Sequence, residues 1–264
     1  MTTTSISKPS VIFPKPNPQA SLRLFCFPYA GGSTASFRNW HKQLPTTVEV
    51  CPIELPGRGT KLMEAPFTEL SSLVPAIVQA IFPYLDKPFA FFGHSMGAIL
   101  SFEVARQLRK KCHISPVHLF VSGRGAPHVP FEFKSLHSLP KAEFIEQLRK
   151  LNGTPDEVLD NAELMEMLIP MLRADFKLIE TYAYTPGLSL GCPITAFGGL
   201  QDSKVNLARL EAWQEQTNAD FSVQMFSGDH FFLHSSEKAL LKSVSQKLHY
   251  LTNKSSAWQS AYSH

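Results

Sequence analysis

The chain alternates two spacings of apolar residues. Short runs that are apolar on nearly successive positions occur at 23–27 (RLFCF), 48–55 (VEVCPIEL), 89–92 (FAFF), 118–123 (HLFVSG), 194–199 (ITAFGG) and 221–226 (FSVQMF). A strand covered on one side only shows strict alternation, so the unbroken runs predict parallel strands buried on both faces. Between them the apolar positions fall three and four apart. From Leu70 onward, Leu73, Val74, Ile77, Ile81 and Leu85 lie on one helical stripe. Similar patterns predict helices over 36–44, 95–110 and 204–218. Strand and helix in regular alternation imply an α/β fold with a mostly parallel, doubly wound sheet. One domain spanning 1–264 is expected, with a mobile lead-in over 1–20 and a tail over 253–264.

One region breaks the alternation. Between about 127 and 186 no strand pattern occurs, only helical spacing. A helix within 138–153 (SLPKAEFIEQLRKLNG) should end at Gly153 as its C′ glycine. The following TPDE offers a capping box, with Thr154 as N-cap, Pro155 at the first helical position and Glu157 at the third. A longer helix is expected over 164–184, kinked at Pro170. Its position between the fourth and fifth strands suggests a lid over a site. Phe144, Leu148, Leu164, Leu168, Leu172 and Phe176 would form its inward face, and Phe144, Leu172 and Phe176 are substrate-binding candidates. Ordinary amphipathic packing on the core is the alternative.

Composition narrows the class. With 44% apolar and 18% charged residues in 264, the chain can bury a substantial core and reads as a soluble globular protein. A net charge of +3 without a Lys/Arg block gives no case for a nucleic-acid partner. Cys26, Cys51, Cys112 and Cys192 are scattered, with no CxxC spacing, and three lie in or beside apolar runs. Buried reduced thiols and a cytoplasmic location follow as expectations. The opening MTTTSISKPS lacks a basic stretch followed by an apolar one, and no apolar run reaches the roughly 20 residues that span a bilayer. No membrane association is expected.

Candidate chemistry centres on Gly93-His94-Ser95-Met96-Gly97. Gly-x-Ser-x-Gly alone is a weak signal and could be a tight structural turn. Here it follows a buried run and precedes a helix, the setting in which a strained turn lifts a nucleophilic serine above a sheet. Such a serine needs a base, and the base an orienting acid, in the chain order Ser, Asp or Glu, His. Of ten histidines, only His230 and His234 fall late enough and outside the last helix and tail. His230 follows a strand within SGDHFFLH and is preferred, while His234 already enters the next helix. Asp202, just past ITAFGG, is the preferred acid. Asp229 adjoins His230 in sequence and Asp220 precedes its strand, whereas Asp202 could also serve merely as a helix cap. The Met96 amide would supply one donor for an oxyanion, and the amide of Tyr29 or Ala30 in FPYAGGS a second. No side-chain set has metal-ligand spacing, so no metal and no cofactor is expected.

FPYAGGS, LPGRG, PFAFFGHSMGA, ITAFGGLQD and GDHFFL occur in this order between about 22 and 251. Together they resemble the type II thioesterases, stand-alone α/β-hydrolases that accompany polyketide and nonribosomal peptide synthetases. The resemblance implies an α/β-hydrolase fold and a Ser95–Asp202–His230 triad. It also implies hydrolysis of acyl or aminoacyl thioesters on the phosphopantetheine arm of carrier domains, by a monomer. A carboxylesterase, an acyltransferase using the same triad, or a catalytically idle synthetase partner are the alternatives. Carrier domains in such systems are acidic, so Arg58 in LPGRG and Arg124 in SGRGAPH, both on loops after strands, are the candidates for recognising them.

Overall fold

The structure is a computed structural model that describes residues 8–130 and 135–261, with side chains as far as 251. Residues 1–7 of the expected lead-in, 131–134 of the insertion and 262–264 of the tail lie outside the described residues. Among the described residues seven strands form a single sheet: β1 (Ser10–Val11), β2 (Leu22–Phe27), β3 (Val48–Glu54), β4 (Phe89–His94), β5 (His118–Ser122), β6 (Ile194–Gly199) and β7 (Phe221–Phe226). Their order is β1-β3-β2-β4-β5-β6-β7, with every pairing parallel except β1 with β3. This is the mostly parallel sheet of an α/β-hydrolase, as the run pattern and the resemblance led one to expect.

The absence of alternation in the central strands has a direct cause. Phe25, Phe27 and Phe91 pack on one face with helices α1 (Leu70–Ile81) and α2 (Met96–Cys112). Leu24, Cys26, Ala90 and Phe92 pack on the other, against Trp40 and helix α8 (Glu237–Ala261). Both faces are dry, so both residue parities are apolar. The aromatic residues interlock edge to face, with Trp40 and Phe92 ring centroids 4.7 Å apart and Phe27 and Phe91 5.1 Å apart.

Among the described residues the insertion between β5 and β6 carries α3 (Lys141–Leu151), α4 (Asp156–Leu159) and α5 (Ala162–Glu180). Past β6, the chain forms α6 (Leu207–Glu211), and past β7 the short α7 (Phe232–Ser235) precedes α8. Several local expectations give way to tertiary structure. The left-handed residue ending α3 is Asn152 (φ 56°), and Gly153 is held instead by close approach to the Phe231 ring. The TPDE capping box does not form, because Pro155 takes the cap position of a four-residue α4. The α5 cap is Asn161, whose side chain accepts the Leu164 amide at 3.0 Å, so the helix opens two residues earlier than its apolar pattern. Over 36–44 two short 3₁₀ turns replace the expected helix, and over 204–218 the α6 helix gives way to a 3₁₀ turn at Ala212–Gln216.

Within the expected lead-in, Ser10 and Val11 pair with Glu54 and Ile53, and the Phe13 ring meets Tyr84 edge-on at 5.1 Å. Two residues are too few to show a period, which is why the pattern missed them. Helix α8 continues through the start of the expected tail to Ala261. Among the described residues no helix is long and apolar enough to cross a membrane.

Candidate active site

Ser95 sits between the end of β4 and the start of α2 with φ 53° and ψ −111°. This region is costly for a residue with a Cβ, on the order of 1–3 kcal/mol, and persists only where surroundings enforce it. The flanking glycines show the enforcement. A Cβ on Gly93 would collide with the Gly97 carbonyl, and one on Gly97 with the carbonyl of Phe27. Strand, turn and helix are thus pressed together with no room for side chains, and the Ser95 amide is fixed to the Ser122 carbonyl at 2.7 Å. The turn leaves Ser95 half-buried, lining a cavity, with the N-terminus of α2 beneath it. Met96, first in α2, has an amide with no intrahelical acceptor.

The loops after β6 and β7 meet beside this turn. His230 Nδ1 lies 2.7 Å from Asp202 Oδ2, while Asp202 Oδ1 accepts the amides of Lys204 (2.8 Å) and Val205 (3.1 Å). Asp202 therefore both orients the imidazole and caps the following turn, so the two readings of its sequence position are compatible. Burial raises its pKa, but the His230 hydrogen bond, the His230 charge and the two amides outweigh burial and hold the carboxyl below its usual value. The competitors are otherwise engaged. Asp229 accepts the Phe231 amide at 2.8 Å, and Asp220 precedes β7, at the opposite end of that strand from His230. His234 lies in α7, with Nε2 3.0 Å from the Tyr29 hydroxyl.

His94 forms the floor under His230. Its ring is fully buried, 5.2 Å from the His230 ring, with Nδ1 2.9 Å from Ser122 Oγ. Burial, reinforced by the neighbouring His230 and His234 and opposed by the His230 carbonyl, pushes its pKa far down, so the ring stays neutral. A neutral floor places no charge against His230, the candidate base.

The loop after β2 closes the site from the other side. It turns at Gly31 (φ 76°), and the Gly32 amide bonds the Tyr29 carbonyl at 2.8 Å. Neither the Tyr29 nor the Ala30 amide donates to a protein acceptor among the described residues, and both residues line the cavity with Ser95. Either is available as an oxyanion donor.

The cavity has a volume of about 700 Å³. Ser95, Asp202 and His230 line one side, and Leu136, Leu148, Leu172, Phe176 and Ile179 form an apolar wall from the insertion. Lys150 and Lys204 line its exposed rim. Leu172 and Phe176 thus stand where a substrate would. Phe144 does not: it is completely buried behind the wall, 5.9 Å edge-on from Phe176 and under the Arg173 guanidinium at 4.6 Å. Leu164 also departs from the expected inward face. It is 41% exposed, because the buried stripe of α5 passes through Met165, three residues before Leu168, and leaves Leu164 on its outer edge.

The two arginines proposed for partner recognition are buried. Arg58 is 4% exposed and makes a two-pronged ion pair with Asp175 of α5 at 2.9 and 2.6 Å, donating also to the Gly32 carbonyl at 3.0 Å. Arg124 is 6% exposed in the cavity wall, where burial pushes its pKa down to about 10. A loop after a strand end reads as solvent-facing in sequence, but α5 covers the Arg58 loop, and Arg209 and Trp213, from the segment after β6, pack on the Arg124 loop. Asp175 was not singled out in sequence. Its signal was an acidic side chain on the apolar stripe of Leu168, Leu172, Phe176 and Ile179.

The thioesterase domain family model matches residues 22–248. The chain is 48% identical over 241 residues to linear gramicidin dehydrogenase LgrE of Brevibacillus parabrevis, covering 90% of this chain and 92% of that one. It is 49% identical over 232 residues to gramicidin S biosynthesis protein GrsT of Aneurinibacillus migulanus, covering 88% and 91%. Among solved structures, RedJ, a thioesterase of the prodiginine pathway in Streptomyces coelicolor, superposes with a TM-score of 0.82 at 38% identity, covering 88% of this chain and 87% of RedJ.

Proposed function

The chain belongs to the thioesterase family, and we propose that it hydrolyses acyl or aminoacyl thioesters on the phosphopantetheine arm of carrier domains, clearing stalled or misprimed synthetases. Three kinds of support converge. The family match spans most of the chain. GrsT and RedJ are named for gramicidin S and prodiginine biosynthesis. The observation that carries the assignment is the His230–Asp202 pair at the cavity that Ser95 lines from a strained turn. The first relative's name gives a different activity, yet this chain has no Gly-x-Gly-x-x-Gly run to cradle a dinucleotide.

In this reading Ser95 is the nucleophile and His230 the general base. As Ser95 Oγ attacks the thioester carbonyl, its proton passes to His230 Nε2, while the Nδ1 proton is shared with Asp202. Negative charge collects on the former carbonyl oxygen, between the Met96 amide and that of Ala30 or Tyr29. The tetrahedral intermediate collapses, the C–S bond breaks, and the thiolate takes the proton from His230. Water, deprotonated by His230, then attacks the acyl-serine and frees the acid. The apolar wall of Leu172, Phe176 and Ile179 takes the acyl chain. The arm enters past the polar rim, and the substrate itself carries the phosphopantetheine, so the reaction calls on no further cofactor.

Ser95→Ala should abolish turnover of an acyl-carrier substrate, and His230→Ala or Asp202→Asn should each lower kcat by orders of magnitude, because the three groups act as a unit. A folded Ser95→Ala protein that keeps most of its activity would rule the mechanism out. Comparing acyl-carrier with the same acyl group on N-acetylcysteamine tests the substrate. Equal kcat/KM for the two, or faster turnover of oxygen esters, would assign the enzyme to small acyl donors instead.

A further inference from the structure

We propose that Asp175, held by Arg58, is a positioning residue for the oxyanion hole. It would be the insertion's own contribution to catalysis beyond shaping the acyl pocket, and it rests on the Ser95 acyl-transfer reading above. Asp175 Oδ2 accepts the Gly31 amide at 2.8 Å, and Asp175 is 1% exposed. Gly31 directly follows Ala30, so this bond helps fix the direction in which the Tyr29 and Ala30 amides point. Arg58 completes a ring of contacts. It grips both Asp175 oxygens and donates to the Gly32 carbonyl, so the two residues together hold Gly31 by its amide and Gly32 by its carbonyl.

Packing on the same face of α5 reinforces the hold. A Cβ on Gly31 would lie 2.8 Å from Leu172 Cδ2, one turn before Asp175, and a Cβ on Gly57 (φ 83°) 3.3 Å from Met171. The loops after β2 and β3 are therefore both seated on one turn of α5. The Arg58 loop is itself anchored, since Glu54 accepts the Thr60 amide at 3.1 Å and its hydroxyl at 2.6 Å. An oxyanion donor acts only when aimed at the position of the developing charge, and a loop rich in glycine cannot hold that aim alone.

A buried ion pair can also be read as serving stability only, and the two roles separate cleanly. Replacing both partners of such a pair by apolar side chains is often neutral for stability. In Arg58→Met/Asp175→Leu the Gly31 amide loses its acceptor without leaving a buried charge. We expect kcat on acyl-N-acetylcysteamine to fall by about 10- to 100-fold with KM changed less than about twofold, somewhat less than removing a donor outright. Labelling of Ser95 by an alkyl fluorophosphonate should slow in parallel. Arg58→Met/Asp175→Asn, which restores a neutral acceptor for Gly31, should recover most of the loss at similar Tm. Asp175→Glu keeps both charges but displaces the acceptor, and it should show the same kcat-specific loss even if the leucine pair does not fold. A folded Arg58→Met/Asp175→Leu protein with wild-type labelling, or losses that follow Tm across all three variants, would overturn the proposal. A wild-type protein that the fluorophosphonate does not label at Ser95 would instead overturn the acyl-transfer reading on which it rests.

Discussion

Two of the contacts that the helical insertion makes with the rest of the protein are built from opposite materials. At α5 the contact is buried and charged: Asp175 joins Arg58 and Gly31, while Met171 and Leu172 press on the glycine loops. Within the insertion itself α5 is braced further, since Arg173 holds the carbonyls of His137 and Leu139 at 2.6 and 2.7 Å, and Glu180 accepts the Leu136 amide at 2.8 Å. At the turn between α3 and α4 the contact is thin and wet. Exposed Asn152 donates to Asp229 at 3.2 Å, and Gly153 rests against the Phe231 ring. Both ends touch loops of the proposed site, the first the 29–32 loop proposed to hold the oxyanion and the second the His230 loop. A cover that must admit a long arm can open only where little is lost, so the cavity should open at the α3–α4 turn while α5 stays seated. A lid lifting as one piece would unseat the loop after β2 from α5 at every turnover.

The contrast can be attacked first at the joint between the two parts. Phe144 attaches α3 to α5 through Phe176, and truncating a fully buried phenylalanine costs about 3–5 kcal/mol. In Phe144→Ala, hydrogen exchange should accelerate strongly in α3 and the α3–α4 turn, with α5 protected nearly as in the wild type. Ser95 labelling by a small phosphonate should persist. Equal loss of protection in α5 would show that the insertion moves as a single unit. A smaller perturbation acts at the tip itself. A methyl group on Gly153 would strike the Phe231 ring, so Gly153→Ala must either lift the turn or tilt the ring beside His230. A lifted turn should speed Ser95 labelling by a bulky phosphonate severalfold while leaving a small one unchanged. Slower labelling by both reagents would mean that the ring moved instead and disturbed His230.

The same division separates what could be read in the sequence from what could not. The sheet was legible because double-sided burial writes itself into consecutive residues such as Phe89 to Phe92. The Ser95 turn and the Asp202 and His230 loops were legible because each follows directly on a strand. The roles of Arg58 and Arg124 were not. Whether an arginine on a loop faces solvent depends on what folds over it, and the partner of Arg58 lies 117 residues away. Local helix signals failed for a related reason. TPDE has every residue of a capping box, but the turn lays Gly153 on Phe231, and Pro155 takes the cap position in place of Thr154.

The weakest contact offers the finest test. Asn152 combines two roles that substitution can separate: a left-handed backbone (φ 56°) ending α3, and a side-chain bond to Asp229. Glycine adopts that backbone without strain, so Asn152→Gly removes the bond and keeps the turn. The group is exposed and the bond long, so global stability should change by no more than about 0.5 kcal/mol. Closure is a different quantity. If the bond is part of what holds the mouth shut, its loss should raise the fraction of open molecules, increase kon for an acyl-carrier substrate by about two- to threefold, and leave kcat on acyl-N-acetylcysteamine unchanged. Asn152→Ala keeps neither feature, and its forced left-handed alanine should cost about 1 kcal/mol more than glycine in the α3 terminus. Rapid-mixing measurements on both variants would distinguish the cases. If association is unaffected by either, while exchange at the turn is already as slow as in α5, the α3–α4 turn is no gate, and the arm must enter elsewhere along the rim of the cavity.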